Sequence, residues 1–204
     1  MDPLLSAREV DEALRLAGSQ PESLPEFTHL VARLKARVTE IALADDRIRT
    51  RLQGVRHRVL AVDYRGEKDE KGEPVHLGDV AVYDYDRDAL LMVTVDGQTG
   101  GVVGVREGVG APPITDEERA EALDLVARGS EYAQAFTRPD SNVVAFPTPS
   151  YAFDAEPRRH RHRGCTLYVA LERGAVAAVT VDLSAREIVP DERLPDVLHS
   201  RLAR

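Results

Sequence analysis

The feature that most constrains the fold is an internal repeat. Sliding the 204-residue chain against itself by 86 residues aligns residues 76–103 with 162–189 without a gap, and nine of the 28 pairs are identical. The identities include the run of residues 93–96, Val-Thr-Val-Asp, which returns at 179–182. Self-similarity at a fixed offset indicates two copies of one supersecondary unit. The chain is therefore expected to build the same unit twice.

Each copy begins with a helical pattern. Apolar residues recur every three or four positions over residues 27–41, which predicts an amphipathic helix of about five turns. Thr115 has the spacing of a capping box with the glutamate three residues later, and a second helix is expected from there to about residue 136. Its residues 125–135 match 34–44 at six of eleven positions.

Strand patterns follow the helices. In the first copy residues 55–62 predict a strand, and 79–85, 90–95 and 102–105 predict an antiparallel meander, with the charged residues 65–74 as a loop. The predicted fold class is α+β, a tandem duplication of a unit in which one long helix packs on a curved antiparallel sheet.

The predicted organisation has four parts. An N-terminal helix at 7–17 and a linker occupy residues 1–25, and the two repeats span 26–108 and 109–190. A C-terminal tail, 191–204, could be helical. Each repeat is small for burying a core alone, so pairing of the copies or homo-oligomerisation is expected.

Composition narrows the partners. The net charge is −8, aromatic residues make up 5% and tryptophan is absent, so nucleic-acid binding is disfavoured. A single cysteine forms no internal disulfide, which suits a reducing compartment. No apolar run reaches about 18 residues, so a membrane span is not expected. These observations predict a cytoplasmic protein.

Four histidines are the candidate metal ligands. His160 and His162 lie on alternate positions before a predicted strand, and His76 is aligned with His162 by the 86-residue offset. A site shared between the copies would hold copper or zinc through His57, His76, His160 and His162. Arginines surround the pair at 160 and 162, and they oppose a divalent cation.

Arginines on two predicted strands form the candidate partner-binding surface. They are expected on exposed strand edges, where they would attract an acidic peptide or protein. These residues are Arg56, Arg58, Arg159, Arg161 and Arg163.

For three further residues, the sequence favours a structural role. Asp96 and Asp182 each stand where a hairpin begins and are expected to accept hydrogen bonds from the turn rather than to catalyse. Cys165 is expected to be a buried thiol. No catalytic residue is assigned.

Two stretches carry a family resemblance. Residues 163–189, with their Val-Asp-Leu-Ser turn, and the matching turn at 94–103 resemble the small N-terminal domains of copper amine oxidases. The resemblance covers about 26–190 and implies two cystatin-like α+β domains that serve assembly and not catalysis. No tyrosine here follows an asparagine, so that family's cofactor-forming motif is missing.

The sequence therefore predicts a non-catalytic module that binds a protein or peptide and assembles, presenting sheet edges by strand addition. The observation behind this prediction is a duplication without a catalytic constellation. Two alternatives stay open: a metal-dependent accessory factor or enzyme whose site lies between the repeats and uses the clustered histidines, and a small-molecule binding protein.

Overall fold

The computed structural model describes residues 25–68, 72, 74–148, 161–171 and 176–189. The predicted N-terminal helix and C-terminal tail lie outside these residues. The chain forms two compact units, the first made of residues 1–84 and 90–108 and the second of residues 85–89 and 109–204.

The first unit contains two helices followed by a four-stranded antiparallel sheet. The helices are α1 (Pro25–Ala44) and α2 (Asp46–Leu52). Each strand lies beside the next one along the chain, in the order β1 (His57–Lys68), β2 (Pro74–Asp84), β3 (Ala89–Asp96) and β4 (Val102–Glu107).

The core of the first unit lies between α1 and one face of this sheet. Val38 and Ala42 of α1 are one helical turn apart and have no exposed surface. They pack against alternate residues of the two central strands, namely Val80, Val82, Leu91, Val93 and Val95. Alternate residues of a strand share a face, so α1, together with the buried Ile48 and Leu52 of α2, packs on one side of β2 and β3.

The strands β1 and β2 are longer than predicted. Residues 65–68, expected in a loop, continue β1, and β2 begins at Pro74. The Arg65 guanidinium donates to Asp79 across the ladder at 2.7 Å, and the Thr94 hydroxyl donates to the same carboxylate at 2.6 Å. Such polar cross-strand pairs stabilise a strand segment without an apolar face, and the loop prediction was wrong at residues 65–68 for this reason.

Gly78 on β2 is required by the close approach of α1. A Cβ atom at this position would lie 2.8 Å from Cγ1 of the fully buried Val38. We expect Gly78→Ala to destabilise the protein by about 1–3 kcal/mol through overpacking. Chemical denaturation measures this free energy.

Two control variants distinguish a clash with Val38 from the effect of replacing any glycine of the sheet with alanine. Gly104→Ala on the same sheet places Cβ at 3.6 Å from Thr94, an ordinary contact, and should cost little. Adding Val38→Ala to Gly78→Ala should cost less than the sum of the two single changes. Strict additivity would mean that the two side chains do not compete for the same space.

The second unit repeats the order of helices before strands. Its helices are α3 (Asp116–Gly129) and α4 (Ala133–Thr137). A four-stranded antiparallel sheet follows in the order β5 (Val143–Pro147), β6 (Gly164–Ala170), β7 (Val176–Asp182) and β8 (Glu187–Ile188).

The predicted second helix is divided in two. α3 ends at Gly129, where the Ser130 amide still donates to the carbonyl of Val126 at 3.0 Å. The Ser130 hydroxyl then accepts from the amide of Tyr132 at 3.1 Å. Glycine is a poor helix former and serine offers a local alternative partner to the backbone, so the helix stops before α4 begins.

The 86-residue offset holds for one pair of strands and fails for another. It carries Val93 of β3 onto Val179 of β7, and both are buried. On the preceding strands it carries the core residue Val80 onto Thr166. In the second sheet, however, Ile188 lies next to Gly129 of α3, and the pairs Ile188–Val181 and Val181–Cys165 place Cys165, not Thr166, on the helix side. Since successive side chains point to opposite faces, helix-facing positions of β2 and β6 are not related by this offset.

The chain is thus an α+β protein with two antiparallel sheets, which confirms the predicted class. Among the helices of the described residues, none is both long enough and apolar enough to cross a bilayer.

Candidate functional site

A buried ion pair lies at the centre of the polar contacts in the second unit. Arg163 and Glu118 are 5% and 0% exposed. The Arg163 guanidinium donates two hydrogen bonds to the carboxylate, from Nε to Oε1 and from Nη2 to Oε2, the latter at 2.8 Å. Arg163 also donates to the carbonyls of Pro112 at 3.0 Å and Pro113 at 2.8 Å. The Tyr85 hydroxyl donates to Glu118 at 2.6 Å. Carboxylate and guanidinium therefore both have several partners in the interior.

Arg163 was expected on an exposed basic edge, and the structure corrects that expectation. Arg163 immediately precedes β6, which lies between β5 and β7 and is not an edge strand. Its guanidinium can be buried because Glu118 and two carbonyls replace the water that it loses. Arg163 is a structural residue of the second unit.

Glu118 has two roles, of which the sequence showed one. It accepts from the backbone amide of Thr115 at 3.0 Å and its own amide donates to the Thr115 hydroxyl at 3.1 Å, which confirms the predicted capping box. The same carboxylate binds Arg163. Burial alone would raise the pKa of Glu118, but hydrogen bonding and charge from Arg163 and the bond from Tyr85 outweigh it and lower the pKa.

His162 is held between two aspartates. Its Nδ1 lies 2.7 Å from Oδ2 of Asp182, and its Nε2 lies 3.4 Å from Oδ2 of Asp88. Asp182 has no exposed surface, and Asp88 stands in the turn before β3 with a φ of 51°, a conformation that aspartate tolerates. Both ring nitrogens face a carboxylate, so this arrangement orients the ring.

The predicted turn roles of two aspartates are confirmed. Asp96 Oδ1 accepts from the amides of Gln98 at 2.7 Å and Thr99 at 3.2 Å. Asp182 Oδ1 accepts from the amide of Ala185 at 2.8 Å. Asp182 also binds His162, a contact that joins residues 20 positions apart and that no local pattern indicated.

Two of the four candidate metal ligands, His57 and His76, lie far apart. His57 and His76 both lie in the first unit, where they pair with Asp84 and Gly66 at opposite ends of the β1 and β2 ladder. Eight residues along β2 separate these ends, about 26 Å. The 86-residue offset that aligned His76 with His162 fails on these strands, and His160 lies outside the described residues.

Metal coordination finds no support in the part of the chain that the structure describes. There, no group of three or more His, Cys, Asp or Glu side chains is arranged to hold a metal ion. Copper or zinc binding stays a prediction that rests on His160 and its neighbours.

The other predicted arginines lie in different settings. Arg56 and Arg58 are half-buried around the start of β1, and Arg161 is exposed before β6. Arg159 lies outside the described residues. His57, between the first two, places Nδ1 at 3.0 Å from the carbonyl of Val55.

An exposed apolar surface on the second sheet was not predicted. Val144 and Phe146 of β5 and Val176 of β7 are 44%, 54% and 40% exposed. They share one face with Tyr168 of β6, because Val144 pairs with Tyr168 and the other two follow at even spacings. We call these four residues the outer patch. Apolar residues at every position of β5 were the sequence signal, since a strand with one solvated face alternates.

Two contacts define the outer patch further. The Phe146 and Tyr168 rings meet edge to face, with centroids 5.8 Å apart. On the same face, the hydroxyls of Thr148, Thr166 and Thr180 form a buried row with separations of 2.9 and 3.1 Å. The patch is therefore an apolar area that ends at a row of satisfied polar groups.

Among the strands that the structure describes, β5 pairs with β6 alone, and the backbone groups of its odd-numbered residues point away from β6. The amide of Thr148 donates to the carbonyl of Gly164 at 2.9 Å, which places the even-numbered residues in hydrogen-bonded pairs with β6. In an antiparallel ladder the residues between such pairs direct their N–H and C=O groups away from the partner strand.

Two features interrupt the row of outward groups that an added strand would use. The carbonyl of Val143 accepts from the Arg119 guanidinium at 2.8 Å, and Pro147 has no N–H. Ala145 alone retains both a donor and an acceptor among the outward residues of β5. An occupied carbonyl and a proline are two ways of protecting an edge from strand addition.

Comparisons with known proteins show no family. No protein-family model matches the chain, and no curated protein sequence does. Among solved structures, the chain is similar to a copper-containing benzylamine oxidase from Hansenula polymorpha, with a TM-score of 0.44 and 12% identity. The similarity covers 75% of this chain and 28% of the oxidase. A likeness at this level says nothing about activity.

Proposed function

We propose that this chain is a non-catalytic protein-binding module whose outer patch receives a short apolar segment of a partner protein. The observation that carries the proposal is the exposure of Phe146, Val144 and Val176 on one face of the second sheet. Contiguous exposed apolar side chains on a soluble domain mark interaction sites.

The size of the patch indicates the kind of partner. A stable interface between globular proteins buries about 800 Å² on each side, more than four side chains supply. Phe146 and Tyr168 offer two rings to an aliphatic or aromatic side chain, and rings of this type often dominate binding. A segment of a few apolar residues therefore fits this surface.

The mode of binding differs from strand addition at this sheet. Because the edge of β5 is protected by Arg119 and Pro147, the partner is bound by side-chain contacts on the face. Val144 and Phe146 are contributed by one strand and Val176 by another, so the partner crosses the strands instead of extending the sheet.

The test uses a matched pair of valines on edge strands. Octapeptides that bind the wild-type protein are first selected from a random displayed library. They then serve as the probe, and calorimetry measures their affinities. Val144→Asp in the outer patch should weaken the selected peptides at least tenfold, because it removes apolar contact and places a charge there. Val103→Asp on β4, where Val103 is 58% exposed, should leave the affinity unchanged. Failure to select peptides, or equal effects of both changes, would reject the proposal.

The two units are proposed to be copies of one ancestral cystatin-like unit. Equivalent turns support this origin, since Gly100 and Arg186 are 86 residues apart and both have positive φ, 66° and 58°. Asp96 and Asp182 begin these two turns and accept amide hydrogen bonds in each. The first of these turns has glycine at the left-handed position and the second has arginine. Because arginine rarely adopts this conformation, the turn itself imposes it.

A further inference from the structure

The outer half of β1 is exposed along its length. The six residues Asp63–Lys68 are all exposed, whereas the first half of the strand contributes the buried Leu60 and Val62. Within the described residues β1 is hydrogen-bonded to β2 alone, so its other side is a sheet edge. A long edge strand offers a row of backbone donors and acceptors to a further strand.

The sequence of this half-strand is complementary to itself when reversed. If Gly66 faces Gly66 of a second copy in an antiparallel pair, Arg65 faces the second copy's Glu67 and Glu67 faces its Arg65. Tyr64 then faces Lys68 in both directions. Opposite charges directly across an antiparallel pair are stabilising, and a lysine beside a tyrosine ring adds a favourable contact.

We infer that β1 is a self-association surface, at which a second copy of this chain adds antiparallel to β1 with the twofold axis at Gly66. The pairing joins the β1–β4 sheet of one copy edge to edge with the β1–β4 sheet of the other. Charges on an edge strand usually prevent such pairing, but here the charge order matches a second copy and repels most other strands. The inference does not depend on the outer patch, which lies in the other unit.

Gly66 allows a direct test of the register. A Cβ at this position meets no atom within 4 Å, so Gly66→Cys fits without disturbing the strand. Residues directly opposite in an antiparallel pair have Cβ atoms about 4.5–5.5 Å apart, close enough for a disulfide after small adjustment. Mild oxidation of Gly66→Cys should therefore give mostly covalent dimer on a non-reducing gel.

The control for cross-linking is Lys68→Cys on the same exposed strand. In the proposed register the two copies of position 68 are four residues out of step, about 13 Å along the strands, and should not cross-link. The wild type measures any contribution of the buried Cys165. Equal cross-linking of both variants, or none at Gly66→Cys, would overturn the proposal.

Charge exchange provides a second, independent test. Arg65→Glu and Glu67→Lys each place like charges across both halves of the interface, and each variant alone should dimerise at least tenfold more weakly than wild type in sedimentation experiments. An equimolar mixture restores opposite charges at both contacts and should recover the wild-type affinity within a few-fold.

The same experiments distinguish loss of self-association from unfolding and from loss of peptide binding at the outer patch. Arg65 also binds Asp79 and Glu67 of its own chain, so circular dichroism is recorded for both charge variants, and if either variant is unfolded the cross-linking result decides. Val144→Asp should dimerise as wild type does, which distinguishes failure of this inference from failure of peptide binding. A wild-type protein that stays monomeric at high micromolar concentration would overturn the inference.

Discussion

Replacing Glu118 with glutamine should reduce the free energy of unfolding by about 3–5 kcal/mol. Arg163 is 5% exposed, and the substitution removes the carboxylate charge that its guanidinium contacts in the interior. Breaking a buried ion pair from one side costs this much because the remaining charge cannot regain water. Chemical denaturation of Glu118→Gln and wild type, followed by circular dichroism, measures the difference.

Two control variants distinguish the ion pair from the other roles of Glu118. Thr115→Ala removes a side-chain cap of α3 and keeps the ion pair, so it should cost about 1 kcal/mol. Replacing both partners, Glu118→Leu with Arg163→Met, should cost less than Glu118→Gln, since no buried charge is left. If the double replacement costs as much as the sum of the two single ones, the residues do not act as a pair.

The same pair should contribute to the acid sensitivity of the protein. The pKa of Glu118 is lower in the folded chain than its ordinary value of 4.5. A carboxyl with a lowered pKa stabilises the fold fully above its unfolded-state pKa, and that stabilisation is lost as the pH falls through the folded-state pKa. Between pH 7 and pH 3, wild type should therefore lose more stability than Glu118→Gln.

Cys165 should react with thiol reagents about a thousandfold more slowly in the native protein than in the unfolded chain. Burial, with a smaller contribution from the Glu118 carboxylate, raises its pKa from 9.0 to about 12. The reactive species is the thiolate, whose fraction at pH 8 falls about tenfold for each unit of pKa. Ellman's reagent, with and without denaturing urea, measures the two rates.

An exposed thiol on the same chain provides the reference for this measurement. Val103→Cys adds one at a position that is 58% exposed, and under the same conditions it should react rapidly while Cys165 does not. Because Glu118→Gln weakens the unit that contains Cys165, it should also speed the labelling of that thiol. Equal reactivity of the two thiols in the native state would show that Cys165 is accessible.

Local features of the sequence were predicted correctly because their causes are local. The capping box at Thr115 and the turns begun by Asp96 and Asp182 each depend on residues two or three positions apart. The same reasoning failed at the end of the second helix. The prediction followed the apolar spacing to about residue 136, but the helix ends at Gly129, as Gly129 and Ser130 indicate. Predictions of helix ends depend on such weak competition between backbone and side-chain hydrogen bonds.

Residues with two roles were not predictable in full. Glu118 shows its capping role in the sequence, but its ion pair joins residues 45 positions apart, and the hydrogen bond from Tyr85 spans 33. Arg163 was read with its basic neighbours because charge runs usually lie in solvent, yet it lies at 5% exposure. Only a partner brought in from another element makes such burial tolerable.

The sequence by itself determined the α+β class, the starts of α1 and α3, the turns at Asp96 and Asp182 and the burial of Cys165, because periodicity and short-range hydrogen bonds act along the chain. The tertiary structure alone decided which face of each strand meets a helix. The helix-facing positions of β2 and β6 show this, because they differ by one residue from the 86-residue offset of the sequence repeat. It also decided which charges are buried together and which apolar side chains remain in solvent. These outcomes depend on contacts between segments far apart in the chain, and a single sequence carries no direct record of them.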